Sequence, residues 1–289
     1  MVTVFTPTYN RAYIIENLYK SLKRQTCKDF EWLVVDDGST DNTSELFERW
    51  KSEKDFNVRY IKLNNGGKHR AINRGVKEAW GEFFFIVDSD DYLTNNAIER
   101  IEEHFLSLKD DSAFAGVCGL RCFPNGSRIG GDYNFGLLDC TPLDLRFKYK
   151  IKGDLAEVIK TTIMKEYPFP EIDNERFCPE AVLFNRIAQK YKLRYFYEKI
   201  YVCDYLSDGL SAKITRIRMR SPKSSMICYS ELANYKVPFC QKLRAAINFW
   251  RFSFCSKEPF ETKLRRIGIR WLFMLPIGYL IHIKDQIQR

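Results

Sequence analysis

Four short apolar segments, each followed by a segment with helical periodicity, make up most of the first hundred residues of the chain. The apolar segments run from residues 2 to 6, 30 to 35, 58 to 63 and 83 to 87. The segments between them carry apolar residues at spacings of three and four, as helices packed on a sheet do. Strands joined by such short helical connections lie parallel, with right-handed crossovers. The pattern predicts an α/β fold with a mostly parallel, Rossmann-like sheet flanked by helices.

Three aspartates, Asp88, Asp90 and Asp91, directly follow the fourth apolar segment. Open α/β sheets bind their ligands at the carboxyl ends of their strands. Carboxylates this close repel one another, and Mg²⁺ or Mn²⁺, which take one or two carboxylates together with water and phosphate oxygens, would compensate that repulsion. The three aspartates therefore indicate a site for a metal ion and a diphosphate. The alternative is an acidic turn that caps the following helix.

Composition and known motifs exclude several classes of protein. The nine cysteines are scattered without C-x-x-C spacing, so neither a disulfide framework nor a zinc site is predicted, and reduced thiols in the cytoplasm are expected. The first apolar segment begins at residue 2, so no signal peptide is expected. The glycine-rich patterns G-x-G-x-x-G and G-x-x-x-x-G-K-[ST] are missing from the α/β segment. A diphosphate is therefore expected to be held by metal.

Four motifs occur in order along this segment: TPTYNR at residues 6–11, VDDGSTD at 35–41, NGGKHRAIN at 65–73 and VDSDD at 87–91. In sequence and spacing they resemble family 2 glycosyltransferases of the GT-A fold, over roughly the first 110 residues. The resemblance implies an inverting enzyme of the bacterial cell-surface polysaccharide type.

The expected organisation follows from the resemblance and from a change in charge after residue 212. Residues 1–212 are expected to form the GT-A domain, in which residues 1–111 bind the nucleotide sugar and residues 112–212 bind the acceptor. Residues 213–289 are expected to form a basic, helical C-terminal extension.

The resemblance assigns the nucleotide to the loops of all four motifs. It implies that Tyr9 stacks on the base, a contact that every base can make through its π-face, and that Asp37 accepts the imide N–H of uracil. Asp36 is expected instead to hold its loop through backbone N–H groups. For Lys68 and Arg70 the alternative to a ligand contact is a solvated helix start. The implied nucleotide-binding residues are Thr6, Pro7, Thr8, Tyr9, Asp37, Lys68, Asp88 and Ser89.

The resemblance also implies a metal ligand. Asp90 is the expected ligand of Mn²⁺ or Mg²⁺, with Asp88 on the ribose and Asp91 as a supporting or acceptor-side group. A sugar nucleotide leaves as a diphosphate whose charge grows in the transition state. A divalent cation that bridges the diphosphate oxygens stabilises this charge.

Glu180 is the expected catalytic base. It stands at the start of a predicted helix that opens with Pro179 and runs to about Tyr191, at a place where the family usually has an acidic pair. Here the pair is Pro179-Glu180, a departure from the family, so Asp173 and Glu175 are alternatives. A further alternative is that Glu180 only favours the helix start.

A loop at residues 204–211 resembles the family segment that closes over the diphosphate. Ser211, Lys213 and Arg216 are candidates for neutralising phosphate there.

Basic charge is concentrated in residues 213–289, which hold 16 Lys/Arg and 4 Asp/Glu, whereas residues 1–212 hold 30 and 33. The apolar run from Trp271 to Ile283 contains Pro276 and Gly278 and falls short of the roughly 20 residues that span a bilayer. Amphipathic helices lying on the inner face of the cell membrane fit this composition. The alternatives are a helical hairpin packed on the domain and a homo-oligomer contact.

Residues and resemblance together predict a metal-dependent glycosyltransferase that is cytoplasmic and peripheral on the membrane. The donor is expected to be a UDP-sugar and the acceptor a hydroxyl of a glycan or lipid-linked saccharide in surface polysaccharide synthesis. A dTDP-sugar (rhamnosyl-type) donor and a non-catalytic sugar-nucleotide-binding protein are the alternatives. Basic and aromatic residues together also suit nucleic-acid binding, but such a module does not need three carboxylates at a strand end, so no nucleic acid is expected.

Overall fold

The structure, a computed structural model, describes residues 1–108, 111–131, 133–203 and 213–287. The chain divides into two compact units. The first unit comprises residues 1–168 and 190–205, and the second comprises residues 169–189 and 206–289. Residues 169–189, which precede the boundary expected at residue 212, therefore belong with the C-terminal helices.

The first half of the first unit is a parallel α/β sheet. Its strands are β1 (Val2–Thr8), β2 (Phe30–Asp36), β3 (Asn57–Lys62) and β4 (Phe83–Ile86), and its helices are α1 (Glu16–Lys23), α2 (Thr43–Glu53) and α3 (Lys68–Glu78). The strands lie in the order β3-β2-β1-β4, and each neighbouring pair is parallel. The strand and helix alternation predicted from the sequence is confirmed.

Beyond β4 the sheet is mixed. The further strands are β5 (Tyr92–Leu93), β6 (Phe114–Cys122), β7 (Leu137–Cys140), β8 (Leu155–Lys160) and β9 (Lys192–Val202), and the further helices are α4 (Ala97–Leu106), α5 (Pro142–Phe147) and α6 (Thr161–Glu166). Strand β8 is antiparallel to both β4 and β6, and β9 is parallel to β6. Strands β5 and β7 are antiparallel to β9. Because β8 reverses direction once, the carboxyl ends of β4 and β6 lie at the same edge.

The core of the first unit covers both faces of the parallel strands, and every residue of β1 and β2 is buried. On one face Tyr19 stacks on Trp50 with ring centroids 4.4 Å apart. On the other, α3 packs directly on β1, since Gly75 has no side chain and a Cβ there would lie 2.1 Å from the ring of Phe5.

The described residues of the second unit form helices and connecting loops. Their helices are α7 (Ala181–Ile187), α8 (Ile214–Arg220), α9 (Pro222–Asn234), α10 (Phe239–Ser253), α11 (Phe260–Ile267) and α12 (Leu275–Ile287), with a 3₁₀ turn at Ile269–Met274. Trp250 and Trp271 lie in their shared core. The helix expected from Pro179 to about Tyr191 was predicted too long, since α7 begins at Ala181 and ends at Ile187.

Within the described ranges, no single helix is long and apolar enough to cross a membrane. By length and composition, α11 and the helical segment from Ile269 to Ile287 pass that test only as a pair bent by 106°.

Candidate functional site

The loops that follow β1 and β2 are tied together by hydrogen bonds. The N–H of Asn10 donates to Ser39 Oγ at 2.8 Å, and the N–H of Thr40 donates to Asn10 Oδ1 at 2.8 Å. Asn10 has a φ of 54°, a conformation that asparagine adopts more readily than most residues. Next to this clamp, Tyr9 is 48% exposed. The residue expected to stack on a base is thus held with its ring accessible.

The two aspartates at the end of β2 have different partners. Asp36 is fully buried, and its carboxylate accepts the N–H of Ser39 at 2.7 Å, as expected for a residue that holds its loop. Asp37 accepts the N–H groups of Gly66 at 2.6 Å and Gly67 at 2.8 Å, one on each oxygen. The side-chain N–H of Asn65 also donates to Asp37 Oδ2, at 3.3 Å. The uracil contact of Asp37 stays a prediction.

The loop after β4 brings the aspartates together with two basic side chains. Lys68 Nζ lies 2.5 Å from Asp88 Oδ1, and Arg11 Nη2 lies 3.9 Å from Asp90 Oδ2. Lys68 is the first residue of α3, and Arg11 follows β1. The structure therefore brings side chains of the first, third and fourth motifs to one edge of the sheet.

Burial and mutual repulsion act differently on the three aspartates. Burial disfavours the ionised form of Asp88, but the charges of Lys68 and Arg121 outweigh burial and hold its pKa below the usual value. Burial, and then the charge of Asp88, raise the pKa of Asp90. The same two causes raise the pKa of Asp91 to about 7. The raised pKa values of Asp90 and Asp91 indicate that the nearby basic side chains do not balance the negative charge of the three aspartates.

Arg121 of β6 and Tyr201 of β9 lie beside the aspartate loop. The hydroxyl of Tyr201 accepts the N–H of Asp88 at 3.0 Å and donates to Asp91 Oδ2 at 2.6 Å. The guanidinium of Arg121 stacks 4.1 Å from the centroid of the Tyr201 ring. Sequence reasoning missed both residues. The one available signal was a single arginine in the otherwise apolar segment that became β6.

The other expected nucleotide contacts lie in β1 and in the aspartate loop. Thr6 and Pro7 are buried, and Thr6 Oγ1 accepts Trp32 Nε1–H at 3.0 Å. Ser89 is 6% exposed. Thr8 is 3% exposed, and its hydroxyl oxygen has no hydrogen-bond partner in the part of the chain that the structure describes. Since a buried unpaired hydroxyl costs about 1–3 kcal/mol, a polar ligand atom at this strand end would relieve it.

The donor set at this edge fits a metal ion only together with a substrate. No group of three or more His, Cys, Asp or Glu side chains that could hold a metal occurs among the described residues. Mg²⁺ at a phosphate site needs just one or two carboxylates, because water and phosphate oxygens complete its shell. Asp90, with its raised pKa and Arg11 as far as 3.9 Å away, fits such a single-carboxylate role.

Glu180 and its two alternatives lie in the second unit. Glu180 immediately precedes α7 and is partly exposed, and Asp173 is exposed. Glu175 is buried, and its carboxylate accepts the N–H of Lys223 at 2.7 Å and both the N–H and the hydroxyl of Ser224 at 2.8 and 2.7 Å. Glu175 therefore caps α9, which counts against it as the base. The role of Glu180 stays a prediction.

Of the residues expected to neutralise phosphate, Ser211 and the loop at 204–211 lie outside the described residues. Lys213 directly precedes α8, and Arg216 lies within it; both are exposed.

Residues 3–153 match the sequence model of the family described as glycosyl transferase family 2. The chain belongs to this family. It is 37% identical over 211 residues to poly(ribitol-phosphate) beta-N-acetylglucosaminyltransferase TarS of Staphylococcus aureus, covering 68% of this chain and 35% of TarS. It is 35% identical over 136 residues to chondroitin synthase of Pasteurella multocida, covering 47% of this chain and 14% of the synthase. The chain thus spans about a third of the length of TarS.

Solved structures of glycosyltransferases share the fold. A crystal structure of S. aureus TarS in complex with UDP-GlcNAc has a TM-score of 0.63 at 19% identity, over 98% of this chain and 88% of that one. The mannosyltransferase PcManGT from Pyrobaculum calidifontis, in complex with GDP-Man and Mn²⁺, has a TM-score of 0.58 at 18% identity, over 98% of this chain and 87% of that one. The family and the GT-A fold predicted from the four motifs are confirmed.

Proposed function

We propose that this family 2 chain transfers a sugar from a UDP-sugar to a hydroxyl of a glycan or lipid-linked saccharide, with inversion, in the synthesis of a surface polysaccharide. The observation that carries the proposal is the aspartate loop after β4. Burial and the charge of Asp88 raise the pKa values of Asp90 and Asp91 there, and a cation bound with a diphosphate would balance these carboxylates. TarS, an N-acetylglucosaminyltransferase whose crystal structure contains UDP-GlcNAc, supports UDP-GlcNAc as the first donor to test.

In the proposed complex the nucleotide lies along the carboxyl edge of β1, β2 and β4. The accessible ring of Tyr9 stacks on the base, and Asp37 accepts the imide N–H of the pyrimidine. The buried hydroxyl of Thr8 pairs with a polar atom of the nucleotide, as do Ser89 and the backbone at Thr6 and Pro7. Asp88 accepts a ribose hydroxyl while Lys68 holds its carboxylate in place.

Asp90 would hold the Mn²⁺ or Mg²⁺ ion. When bound, the cation stabilises the negative charge that develops on the leaving diphosphate. PcManGT, whose structure contains Mn²⁺ with GDP-Man, supports metal dependence for this fold. Lys68 and Arg11 add positive charge at the same edge, which favours a diphosphate over a neutral ligand.

Glu180 is the proposed general base. It takes the proton of the acceptor hydroxyl while the oxygen bonds to the anomeric carbon and the bond from that carbon to the diphosphate breaks. One displacement of this kind inverts the anomeric configuration. The exposed Asp173 is the alternative base. Glu175 is a weaker candidate, because its carboxylate accepts the N–H groups at the start of α9.

Replacing Glu180 by Gln tests the proposal. UDP-GlcNAc with Mn²⁺ should raise the melting temperature of the variant as much as that of wild type, because Glu180 does not bind the nucleotide. Transfer should fall about 10²- to 10⁴-fold, the usual contribution of a general base. Asp173→Asn tests the alternative base and should retain activity.

Three outcomes would count against the proposal. Unchanged turnover of Glu180→Gln would remove its role as base. Stabilisation of wild type by dTDP-sugars and not by UDP-sugars would favour the rhamnosyl-type donor. Stabilisation by UDP-GlcNAc with neither transfer nor hydrolysis would favour the non-catalytic binding protein.

We also propose that the chain is cytoplasmic and peripheral on the inner face of the cell membrane, where a lipid-linked acceptor would be found. The basis is the excess of 16 basic over 4 acidic residues in positions 213–289, since basic segments bind anionic leaflets.

A further inference from the structure

Helix α12 and the 3₁₀ turn before it carry large apolar side chains on their outward side. These residues recur every three or four positions, the spacing of one helix face, and each is at least 38% exposed. We call this set the outer stripe. It consists of Ile269, Phe273, Ile277, Leu280, Ile283 and Ile287.

Beyond Leu275, which packs on the core that contains Trp250, the side of α12 that faces α10 carries small and polar residues. Gly278 is buried, and a Cβ there would lie 2.5 Å from Trp250 Cβ. His282 is 8% exposed. Asp285 accepts hydrogen bonds from Arg251 Nε at 2.5 Å and Nη2 at 2.7 Å. Surface helices normally bury their apolar stripe, whereas most of the large apolar side chains of α12 are exposed. The packing of α12 on α10 fixes that orientation.

Aromatic side chains extend the outer stripe. Tyr279 is 47% exposed and packs edge-on against Phe254, which is 37% exposed, with ring centroids 5.0 Å apart. Contiguous exposed apolar surface marks a site for a partner. Aromatic residues at its margin are typical of the boundary between acyl chains and headgroups.

The charges beside the outer stripe indicate what kind of partner covers it. Arg270 and Lys284 are exposed, whereas Asp285 is turned inward onto Arg251. Positive charge next to an apolar stripe complements an anionic bilayer, which offers headgroup phosphates above an apolar layer. A second copy of this chain, docked through the same surface by two-fold symmetry, would place like charges near one another.

We propose that α12 and the 3₁₀ turn lie flat in the surface of an anionic lipid bilayer, with the outer stripe at the acyl boundary and Arg270 and Lys284 at the headgroups. The inference rests on the peripheral membrane location proposed above and identifies the surface of the chain that contacts the membrane. It is independent of the transfer reaction, because nucleotide binding is placed in the first unit.

Vesicle flotation of the full chain tests the outer stripe. Wild type should float with vesicles of equal phosphatidylcholine and phosphatidylglycerol, and less with phosphatidylcholine alone. The double variant Phe273→Ser/Leu280→Ser should bind roughly a hundredfold more weakly, since each large apolar side chain removed from water contributes about tenfold or more. The matched double variant Leu106→Ser/Leu137→Ser, at residues 79% and 61% exposed in the first unit, should bind like wild type.

A charge variant tests the headgroup contact separately. Lys284→Glu should weaken binding to the anionic vesicles about tenfold, because it removes one cation and adds one anion near the surface. On phosphatidylcholine vesicles it should have little effect. Lys54→Glu, at an exposed lysine of the first unit, is the matched control and should bind like wild type.

Thermal stabilisation by UDP-GlcNAc should be equal in all these variants, so a failure of membrane binding is distinguishable from a failure of the proposed activity. The proposal is overturned if Phe273→Ser/Leu280→Ser floats like wild type. It is also overturned if wild type stays off the vesicles and forms a dimer that this variant dissociates, which would make the outer stripe a contact between copies.

Discussion

Each of the two compact units buries carboxylates, and their surroundings differ. In the first unit, Asp90 and Asp91 lie beside the charge of Asp88, and burial together with that charge raises their pKa values. In the second unit, Glu175 accepts three hydrogen bonds at the start of α9. A carboxylate saturated by a helix N-terminus stabilises the fold, whereas crowded carboxylates with perturbed pKa values are typical of functional sites. Whether a carboxylate is saturated by hydrogen bonds thus distinguishes a structural from a functional role better than its burial does.

Among the aspartates of the loop after β4, replacing Asp90 by Asn should have the largest effect on transfer. We expect transfer to fall about 10²- to 10³-fold or more, because the proposed metal ligand and its stabilisation of the leaving group are lost. The melting temperature of the metal-free protein should hold or rise, since a repelled carboxylate is removed. Steady-state transfer and calorimetric titration of UDP with and without Mn²⁺ measure these effects.

The surface variant Asp139→Asn is the control for Asp90→Asn, because Asp139 pairs with Arg194 at 2.7 Å on the partly exposed strand β7. It should transfer at the wild-type rate. If Asp90→Asn is as active as wild type, the metal assignment is wrong and the crowded loop needs another explanation.

The aspartate loop itself was predictable from the sequence because the apolar segments that became β1, β2 and β4 are buried and end close to where periodicity places them. Strands that run parallel must end at one edge, so residues as far apart as Arg11, Lys68 and Asp88 meet there. The position of a residue directly after a strand was sufficient to predict which side chains lie near one another. It was not sufficient to predict the hydrogen bonds of Asp37 to the turn at residues 66–67.

Arg121 and Tyr201 could not be predicted in the same way. They reach the loop through the pairing of β6 with β9, which is interrupted by register shifts, and no local pattern determines such a register. Similarly, periodicity shows that α12 has an apolar side but not which side faces α10. That orientation follows from the close contact of Gly278 with Trp250 and the pairing of Asp285 with Arg251.

Changing the pH tests the crowded carboxylates directly, because protonation of Asp91 removes the repulsion between its charge and that of Asp88. In the folded protein the pKa of Asp91 is about 7, against about 3.9 in an unfolded chain. Between these values the folded state keeps a proton that the unfolded state releases, so stability falls as the pH rises from about 4 to about 7 and is level above. Asp88, whose pKa is lowered, loses its contribution only below this window.

For the metal-free protein we therefore expect the free energy of unfolding to be roughly 2–3 kcal/mol larger at pH 5 than at pH 8 on account of Asp91. Chemical denaturation in the presence of a chelator, for wild type and Asp91→Asn, measures the difference. The difference in the free energy of unfolding between pH 5 and pH 8 should be smaller in Asp91→Asn. Identical pH profiles in the two proteins would show that Asp91 is not the crowded group described here.

Replacing Glu175 by Gln tests the carboxylate that is saturated by hydrogen bonds at the start of α9. It should have the smallest effect. Gln keeps one acceptor oxygen but turns an NH₂ group toward the donors of Lys223 and Ser224, so we expect a loss of about 1–3 kcal/mol in the unfolding of the second unit. Calorimetry measures it, with Glu171→Gln, at an exposed position, as the control. Transfer by Glu175→Gln below its melting temperature should stay near wild type. If transfer is abolished while stability is unchanged, Glu175 is a catalytic group, and saturation by backbone donors does not distinguish structural from functional carboxylates in this fold.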